Sequence, residues 1–287
     1  MSASKKQLPA KDPRDELIVQ GNDLIRHIRF QLTALEQNLL YFCMSKVRPT
    51  DTDFMKISFT VEEFCHACHM EVGKPGGINY RRIKAAIRSI ADKSAWVEYE
   101  NGYERLTRWF DDIWIKQDSG ELAILLSQTM KPYLIGLIKR ASFEGVGYTQ
   151  TALLTYLALQ SKYGKRLYEI LKSYLYSRGS TEKLYRLTFQ EYSLDEIKQL
   201  LNAGHYGRWQ DFRRYALDVA VAEIEKVTDI HVSYKEIKTG RKITGVHFSF
   251  QHKKDADRWG AEMLARKILD SPKRLPRGTA SDAAKPV

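Results

Sequence analysis

Hydrophobic residues recur at helical spacing along residues 32–47, and this pattern predicts an amphipathic helix. Thr33 and Glu36 have the spacing of a capping box at its start, and Pro49 ends it. A short strand and a second capped helix, over about residues 60–70, come next and lead into a glycine-rich turn. A third helix after that turn completes the outline of a helix-turn-helix.

The third helix is predicted from Asn79, as its cap, to about Lys93, and strand-forming residues follow it. The dipeptide Asn101-Gly102 between two extended runs is typical of a β-hairpin turn. A further extended run over residues 121–127 follows Asp118-Ser119-Gly120, so a hairpin or a meander is predicted. Such a sheet after a helix-turn-helix forms the wing of a winged helix. The first half of the chain is therefore predicted to have that fold.

The same order of elements recurs in the second half of the chain. Two helices, an extended piece, two more helices and two strands are predicted over residues 153–159, 166–177, 187–189, 194–201, 206–228, 230–235 and 243–250. A recurrence at a spacing of over roughly 100 residues indicates a duplicated domain, because solenoid repeats have much shorter periods. The predicted fold class is α+β, with two tandem winged-helix domains that each combine a helix-turn-helix with a β-hairpin wing.

Five segments are expected along the chain. Residues 1–20 and 257–287 lack hydrophobic periodicity and are expected to be disordered tails. Winged-helix domains are expected over residues 21–140 and 148–256, and residues 141–147 are expected to link them.

The chain is basic, with 46 Lys and Arg against 35 Asp and Glu, a net charge of +11 and a pI near 9.4. This balance favours polyanionic partners. The net charge is +6 over residues 148–256, against +2 over 1–147 and +3 over 257–287. The second domain is therefore expected to be the principal DNA-binding domain.

The sequence favours a soluble protein that is not exported, because it has neither an apolar run of about 18 residues nor an apolar signal region. Its three cysteines, Cys43, Cys65 and Cys68, are too few and too unevenly placed for a disulfide scaffold. They are expected to be free thiols in a reducing cytoplasm.

The helix predicted over residues 206–228 has two distinct faces. Its apolar positions are Phe212, Ala216, Val219, Ala220, Ile224 and Val227, and Trp209 is also expected in the core. Its first two turns carry the polar residues Arg208, Gln210, Arg213 and Arg214. In a recognition helix these side chains would contact base edges, Arg at guanine and Gln at adenine. The alternative is a solvated helix start in which Arg214 pairs with Asp211 or Asp218.

Three further groups of polar and cationic residues have the chemistry to bind DNA phosphates. They are Ser161, Lys162, Lys165 and Arg166 beside a helix N-terminus, Lys238, Arg241 and Lys242 at the second wing, and Arg81, Lys84 and Arg88 on one strip of the third helix. The alternative for each group is a solvated surface. The hairpin assigned as the first wing carries Glu98, Glu100 and Glu104, so the first domain is expected to bind DNA more weakly.

The segment Cys65-His66-Ala67-Cys68-His69 matches the Cys-x-x-Cys-His pattern of covalent haem attachment. That pattern belongs to exported proteins, and a zinc site would need a further ligand pair at finger spacing. Buried cysteines in a short helix are therefore the favoured interpretation, and haem or metal binding is the alternative. No cofactor is expected.

No enzyme motif is found in the sequence. It contains neither a Gly-x-x-x-x-Gly-Lys-Ser/Thr phosphate loop nor a Gly-x-Ser-x-Gly elbow, and it has no His-x-His near a nucleophilic tyrosine. The carboxylates are scattered, and the adjacent Asp111 and Asp112 would face opposite sides of a strand. The chain is therefore not expected to be an enzyme.

Three stretches resemble one protein family closely. They are SKYGKRLYEILKSY at residues 161–174, FRRYALDVAVAEIEKVTDIHV at residues 212–232, and the Gly240-Arg241-Lys242 turn that leads to Phe248. Residues 35–40 and 132–134 fit more loosely. On these residues the chain resembles, over about residues 21–251, the replication initiator (Rep) proteins of iteron-containing bacterial plasmids, which are tandem winged-helix proteins.

The resemblance implies a protein that binds directly repeated origin sequences, called iterons, on double-stranded DNA. Such a protein opens the adjacent AT-rich DNA and recruits the host initiator and the replicative helicase, without making or breaking a bond. The resemblance also implies a monomer that initiates and a dimer that binds an operator inverted repeat and represses its own gene. The sheet of the first domain would form the dimer contact. A winged-helix transcriptional regulator without an origin role has the same sequence features and stays an alternative.

Overall fold

The computed structural model describes residues 12–48, 50–74, 76–98, 102–116, 119–143, 145, 147–175 and 185–271. Its helices are α1 Asn22–His27, α2 Ala34–Met44, α3 Val61–Ala67, α4 Ile78–Asp92, α5 Lys131–Leu134, α6 Leu137–Phe143, α7 Leu153–Ala158, α8 Lys162–Ser173, α9 Leu194–Leu200, α10 (the consecutive segments Trp209–Phe212, Arg213–Leu217 and Asp218–Val227) and α11 Asp255–Asp270. Its strands are β1 Leu17–Gly21, β2 Ile28–Arg29, β3 Ile57–Thr60, β4 Ser94–Glu98, β5 Glu104–Arg108, β6 Phe110–Ile115, β7 Glu121–Leu126, β8 Tyr148–Ala152, β9 Thr188–Ser193, β10 Ile230–Thr239 and β11 Lys242–His252.

The described residues contain one arrangement twice. The first unit runs α2, β3, α3, α4, β6 and β7, and the second runs α8, β9, α9, α10, β10 and β11. In each unit the strand that precedes the helix-turn-helix pairs antiparallel with the last strand, so the sheet orders are β3-β7-β6 and β9-β11-β10. The prediction of two tandem winged helices in an α+β fold is confirmed.

Helix starts follow the capping chemistry of the sequence. The Thr33 hydroxyl accepts from the Glu36 N–H at 3.3 Å while the Glu36 carboxylate accepts from the Thr33 N–H at 2.7 Å, and Thr60 and Glu63 make the same reciprocal pair. The third helix begins at Ile78 after Gly77, so Asn79 is not its cap. Asn79 is buried, and its side-chain amide instead donates to the Glu71 carbonyl at 2.6 Å.

The first wing is a different hairpin from the one predicted. Among the described strands, β6 and β7 share a sheet with β3, whereas β4 and β5 form a separate sheet with β2, in the order β2-β4-β5. Glu98 and Glu104 lie opposite each other in that separate sheet, and Glu100 lies outside the described residues. Glu98 and Glu104 are therefore not part of the first wing, and its charge cannot be inferred from them.

Parts of both predicted tails are folded. In the N-terminal segment β1 pairs with β8, and Ile18 and Val19 are buried. In the C-terminal segment α11 packs against α7, because Ala261 and Ala265 are buried at helical spacing. The prediction of tails is wrong for residues 13–20 and 257–270, and residues 1–11 and 272–287 lie outside the described residues.

The two units share one hydrophobic core. The helix α7, which precedes the second unit, is part of this core, and the rings of Tyr41 in α2 and Tyr156 in α7 stack with centroids 3.9 Å apart. Asn22 of α1 connects to α8 and β8, since its side-chain amide donates to the Ser173 carbonyl at 3.0 Å and its side-chain oxygen accepts from the Thr149 hydroxyl at 2.7 Å. Residues 141–143 of the predicted linker are the end of α6, and the domain boundaries at 140 and 148 stay a prediction.

Candidate nucleic-acid interface

The start of α10 presents the four residues that sequence analysis assigned to base contacts. Arg208 is the N-cap residue, and the side chains of Arg208, Gln210, Arg213 and Arg214 are all exposed. Phe212 is fully buried on the opposite face, as predicted, whereas Trp209 is only half-buried. The polar residues therefore lie together on the outer side of a helix whose inner side is fixed in the core.

A π-helical turn, Arg213–Leu217, interrupts α10, and within it the Asp218 N–H donates to the Arg213 carbonyl. A π turn holds one residue more than an α turn, so the side chains that follow are rotated about the axis. Leu217 is consequently buried, and Val219, which an uninterrupted wheel places on the apolar face, is only half-buried. Arg213, Arg214 and Tyr215 are exposed in succession between the buried residues Phe212 and Ala216.

Glu236 on β10 connects the second wing to the start of α10. Its carboxylate accepts from Trp209 Nε1 at 3.0 Å, and it lies 3.2 Å from Lys238 Nζ and 3.7 Å from Arg213 Nη1. Desolvation opposes ionisation, but the hydrogen bonds from Lys238 and Trp209 outweigh it and lower the pKa of Glu236. An ionised Glu236 holds Arg213 beside the wing.

The ion pairs on α10 differ from the predicted alternative. Asp218 lies 3.7 Å from Arg213 Nε and accepts from the Tyr234 hydroxyl, and Asp211 lies 3.9 Å from Arg208 Nε. Neither is paired with Arg214, whose guanidinium lies 5.4 Å from the ring of Tyr215.

The second wing is a tight hairpin with three exposed cations. Thr239 and Lys242 pair at its end, and Gly240 takes φ +62°, a left-handed conformation that favours glycine. The side chains of Lys238, Arg241 and Lys242 are exposed at this end. They stay predicted phosphate contacts.

Lys165 and Arg166 cannot bind phosphate in this structure, because they are only 0% and 3% exposed. Arg166 in α8 donates to the backbone carbonyls of Ile25 and Ile28, both at 2.8 Å, and of Leu200 at 3.3 Å. Lys165 donates to the Tyr156 carbonyl, and burial lowers the pKa of Lys165 to about 7. The phosphate prediction is wrong for both residues. Arg166 instead ties α8 to the α1–β2 segment and to α9, and Lys165 ties α8 to α7.

Ser161 and Lys162 at the start of α8 have different surroundings. The Ser161 hydroxyl accepts from the Gly164 N–H at 2.8 Å and donates to Glu223 of α10 at 2.9 Å, so it caps a helix and ties α8 to α10. Lys162 is half-buried, with its ammonium 5.0 Å from the Tyr163 ring. Phosphate binding by these two residues stays a prediction.

The first recognition helix, α4, exposes Arg81 and Arg88, whereas Lys84 is half-buried. The Lys84 ammonium donates to the carbonyls of Lys116 at 3.4 Å and Ser119 at 3.2 Å, which lie in the β6–β7 turn. Lys84 therefore ties the first wing to α4, as Glu236 ties the second wing to α10. A phosphate contact by Lys84 stays a prediction.

The cysteines of the haem-like segment are packing residues. Cys65 is fully buried, and burial raises the pKa of its thiol to about 11. Cys68 is the C-cap of α3, and burial also raises the pKa of its thiol. Among the described residues, no three His, Cys, Asp or Glu side chains come together as a metal site.

Sequence reasoning missed the residues that orient this surface. Glu236 and Asp218 hold Arg213, and Tyr215 lies beside Arg214. One signal was available, since Glu236 is an acidic residue in an otherwise basic hairpin.

Within the described residues, no helix is long and apolar enough to cross a membrane.

Comparisons with known proteins agree with the geometry. The family model for the initiator replication protein, WH1, matches residues 17–172, and that for the initiator Rep protein, WH2, matches residues 193–250. The PI protein of Escherichia coli is 28% identical over 145 residues, which span 46% of this chain and 44% of that protein. The crystal structure of the Pi initiator protein in complex with iteron DNA shares the fold, with a TM-score of 0.64 at 21% identity over 84% of this chain and 99% of that chain. The chain belongs to the family of initiator replication proteins, as its resemblance predicted.

Proposed function

We propose that this initiator binds directly repeated duplex DNA at a plasmid origin, with α10 of the second unit in the major groove. The observation that carries the proposal is the exposed group Arg208, Gln210, Arg213 and Arg214 at the start of α10. Recognition helices contact bases through the residues of their first turns. The solved relative, which has the same fold, is described in complex with iteron DNA.

The chemistry of this group suits base recognition. An arginine can donate two hydrogen bonds to O6 and N7 of guanine, and Gln210 can form a bidentate pair with adenine. Arg213 is restrained by Glu236 and Asp218, with N···O distances of 3.7 Å in each pair. This restraint reduces the side-chain entropy that Arg213 would lose on binding DNA.

Phosphate contacts would hold the helix in register. Lys238, Arg241 and Lys242 project from the wing next to α10, and Lys162 lies at the start of α8. The first unit would hold the other part of each repeat through the residues of α4 and its wing, namely Arg81, Lys84 and Arg88. Such contacts bind all sequences alike and release counterions.

The remaining initiator functions would be assembly steps in the bacterial cytoplasm. On the nucleoprotein complex the chain would open the adjacent DNA and recruit the host initiator and the replicative helicase, with no bond made or broken. As a dimer it would bind an operator inverted repeat and repress its own gene. The β2-β4-β5 sheet offers a self-contact, because Trp96 and Leu106 are cross-strand neighbours and both are exposed.

The base contacts are tested by selecting preferred sequences from random duplex DNA and then measuring affinity at several salt concentrations. Arg213→Ala and Arg214→Ala are each expected to cost about 1 to 3 kcal/mol on the selected DNA and to relax the preference. Lys242→Ala is expected to weaken all sequences alike and to flatten the salt dependence. Arg258→Ala, which removes an exposed cation of α11, is the control and should change neither.

Equal losses on selected and random DNA for the Arg213 and Arg214 variants would refute the base contacts.

The origin role is tested separately by plasmid maintenance in cells. A protein that binds a lone inverted repeat and represses its gene, but does not maintain the plasmid, would be a transcriptional regulator without an origin role.

A further inference from the structure

Tyr215 is an exposed aromatic residue beside Arg214, one of the proposed base-contacting residues. Its side chain is 51% exposed, although it lies on the recognition helix between the buried residues Phe212 and Ala216. Arg213, Arg214 and Tyr215 are exposed in succession between these two buried positions.

Two neighbouring side chains restrain the ring of Tyr215. The Tyr206 ring lies nearly parallel to it, with an interplanar angle of 20° and centroids 6.3 Å apart. The Arg214 guanidinium lies 5.4 Å from its centroid. Tyr206 is itself fixed, because its carbonyl accepts from Lys198 Nζ at 2.7 Å and its hydroxyl lies 3.4 Å from that of Tyr163. Tyr215 would therefore present a preoriented apolar surface.

The major groove offers one exposed apolar group, the C5 methyl of thymine. Arg208, Gln210, Arg213 and Arg214 can hydrogen-bond to base edges, but a methyl group gains free energy only by burial against an apolar surface. Tyr215 provides the exposed aromatic surface beside Arg214 on the outer side of α10.

We propose that Tyr215 is a specificity-determining residue that packs against the methyl group of a thymine next to the base contacted by Arg214. This inference rests on the proposed function, because it requires α10 to lie in the major groove. It adds a preference for thymine that the arginine and glutamine contacts do not supply.

The test replaces each thymine of the selected duplex, one at a time, by deoxyuridine, which lacks only the methyl group. For the wild-type chain one position is expected to bind about fourfold more weakly, the change that corresponds to about 0.8 kcal/mol for one buried methyl or methylene group. Tyr215→Ala should bind the thymine duplex more weakly and should no longer distinguish uracil from thymine at that position. Tyr215→Phe and Tyr215→Leu should keep the distinction, since both retain an apolar side chain.

Trp259→Ala is the matched control, because Trp259 is a 66% exposed aromatic residue on α11. It should keep both affinity and discrimination. If Tyr215→Phe is as weak as Tyr215→Ala, the hydroxyl makes the contact and the inference is wrong. If the wild-type chain selects a sequence but tolerates uracil at every thymine, the Tyr215 inference alone fails. If it selects no sequence, the proposed function fails as well.

Discussion

Replacing Arg166 by methionine is expected to weaken the junction between the two winged-helix units. Arg166 is almost fully buried, and its guanidinium donates to the carbonyls of Ile25 and Ile28 in the first half of the chain and of Leu200 in the second half. Its Nη1 also lies 3.8 Å from the carboxylate of Glu169, which is buried too. Methionine fills similar space but donates no hydrogen bond.

The expected cost is a large part of the stability of the protein. A hydrogen bond that involves a charged group contributes about 1.5 to 3 kcal/mol. The bond to Leu200 is the longest of the three and is expected to contribute the least. Removing one partner of a buried ion pair costs about 3 to 5 kcal/mol, because the other charge stays buried without compensation. We expect Arg166→Met to lower the free energy of unfolding by about 3 to 5 kcal/mol.

Urea unfolding followed by circular dichroism measures this loss, and the salt dependence of DNA binding distinguishes it from a phosphate contact. A phosphate contact would lower the slope of log K against log salt by about 0.9 and leave the stability almost unchanged. Arg241→Met provides the comparison, because Arg241 is exposed at the second wing. This variant should have a lower salt slope and almost unchanged stability. The double variant Arg166→Met/Glu169→Leu should recover part of the stability, since it removes the uncompensated charge. A stable Arg166→Met protein with a reduced salt slope would refute the reasoning.

Two further predictions concern stability. Burial raises the pKa of Glu169 from 4.5 to about 7 and lowers the pKa of Lys165 from 10.5 to about 7. The contribution of Glu169 to stability should therefore fall as pH rises from 4.5 to about 7, and that of Lys165 should rise above pH 7. The free energy of unfolding can be measured by urea at a series of pH values. Glu169→Gln should flatten its dependence on pH below pH 7, and Lys165→Met should flatten it above pH 7. If neither variant changes the pH dependence, both pKa shifts are contradicted. Thr60→Ala removes a capping box and should lower the free energy of unfolding by about 1 kcal/mol. The control Ser58→Ala, at an exposed position two residues earlier, should lower it much less. Equal melting temperatures for the two variants would contradict the capping role.

The local elements of this chain could be predicted because their causes lie within a few residues. The caps at Thr33 and Thr60 need only a glutamate three positions later, and the β10–β11 hairpin needs only alternation and a glycine turn. The order of these elements was enough to indicate two winged helices and a family. The helical wheel also placed Gln210 and Arg214 opposite the apolar face of the recognition helix, and both are exposed.

The assignment of the first wing depended on a partner far along the chain. The sequence around Asn101-Gly102 predicts a hairpin. Whether that hairpin is the wing depends on whether its strands, or those of the next hairpin, pair with β3. The register of α10 after Phe212 likewise depended on the π turn, which a wheel of constant angle does not contain.

The sequence by itself determined that the chain would form two basic winged helices, because capping and hydrophobic spacing act locally. Only the tertiary structure decided which cations are available to DNA. Lys165 and Arg166 have the composition of a phosphate-binding loop beside a helix N-terminus. They are buried because α8 packs against α7 and the α1–β2 segment, where the carbonyls of Tyr156, Ile25 and Ile28 accept their hydrogen bonds, and a buried cation is stable only where such acceptors surround it.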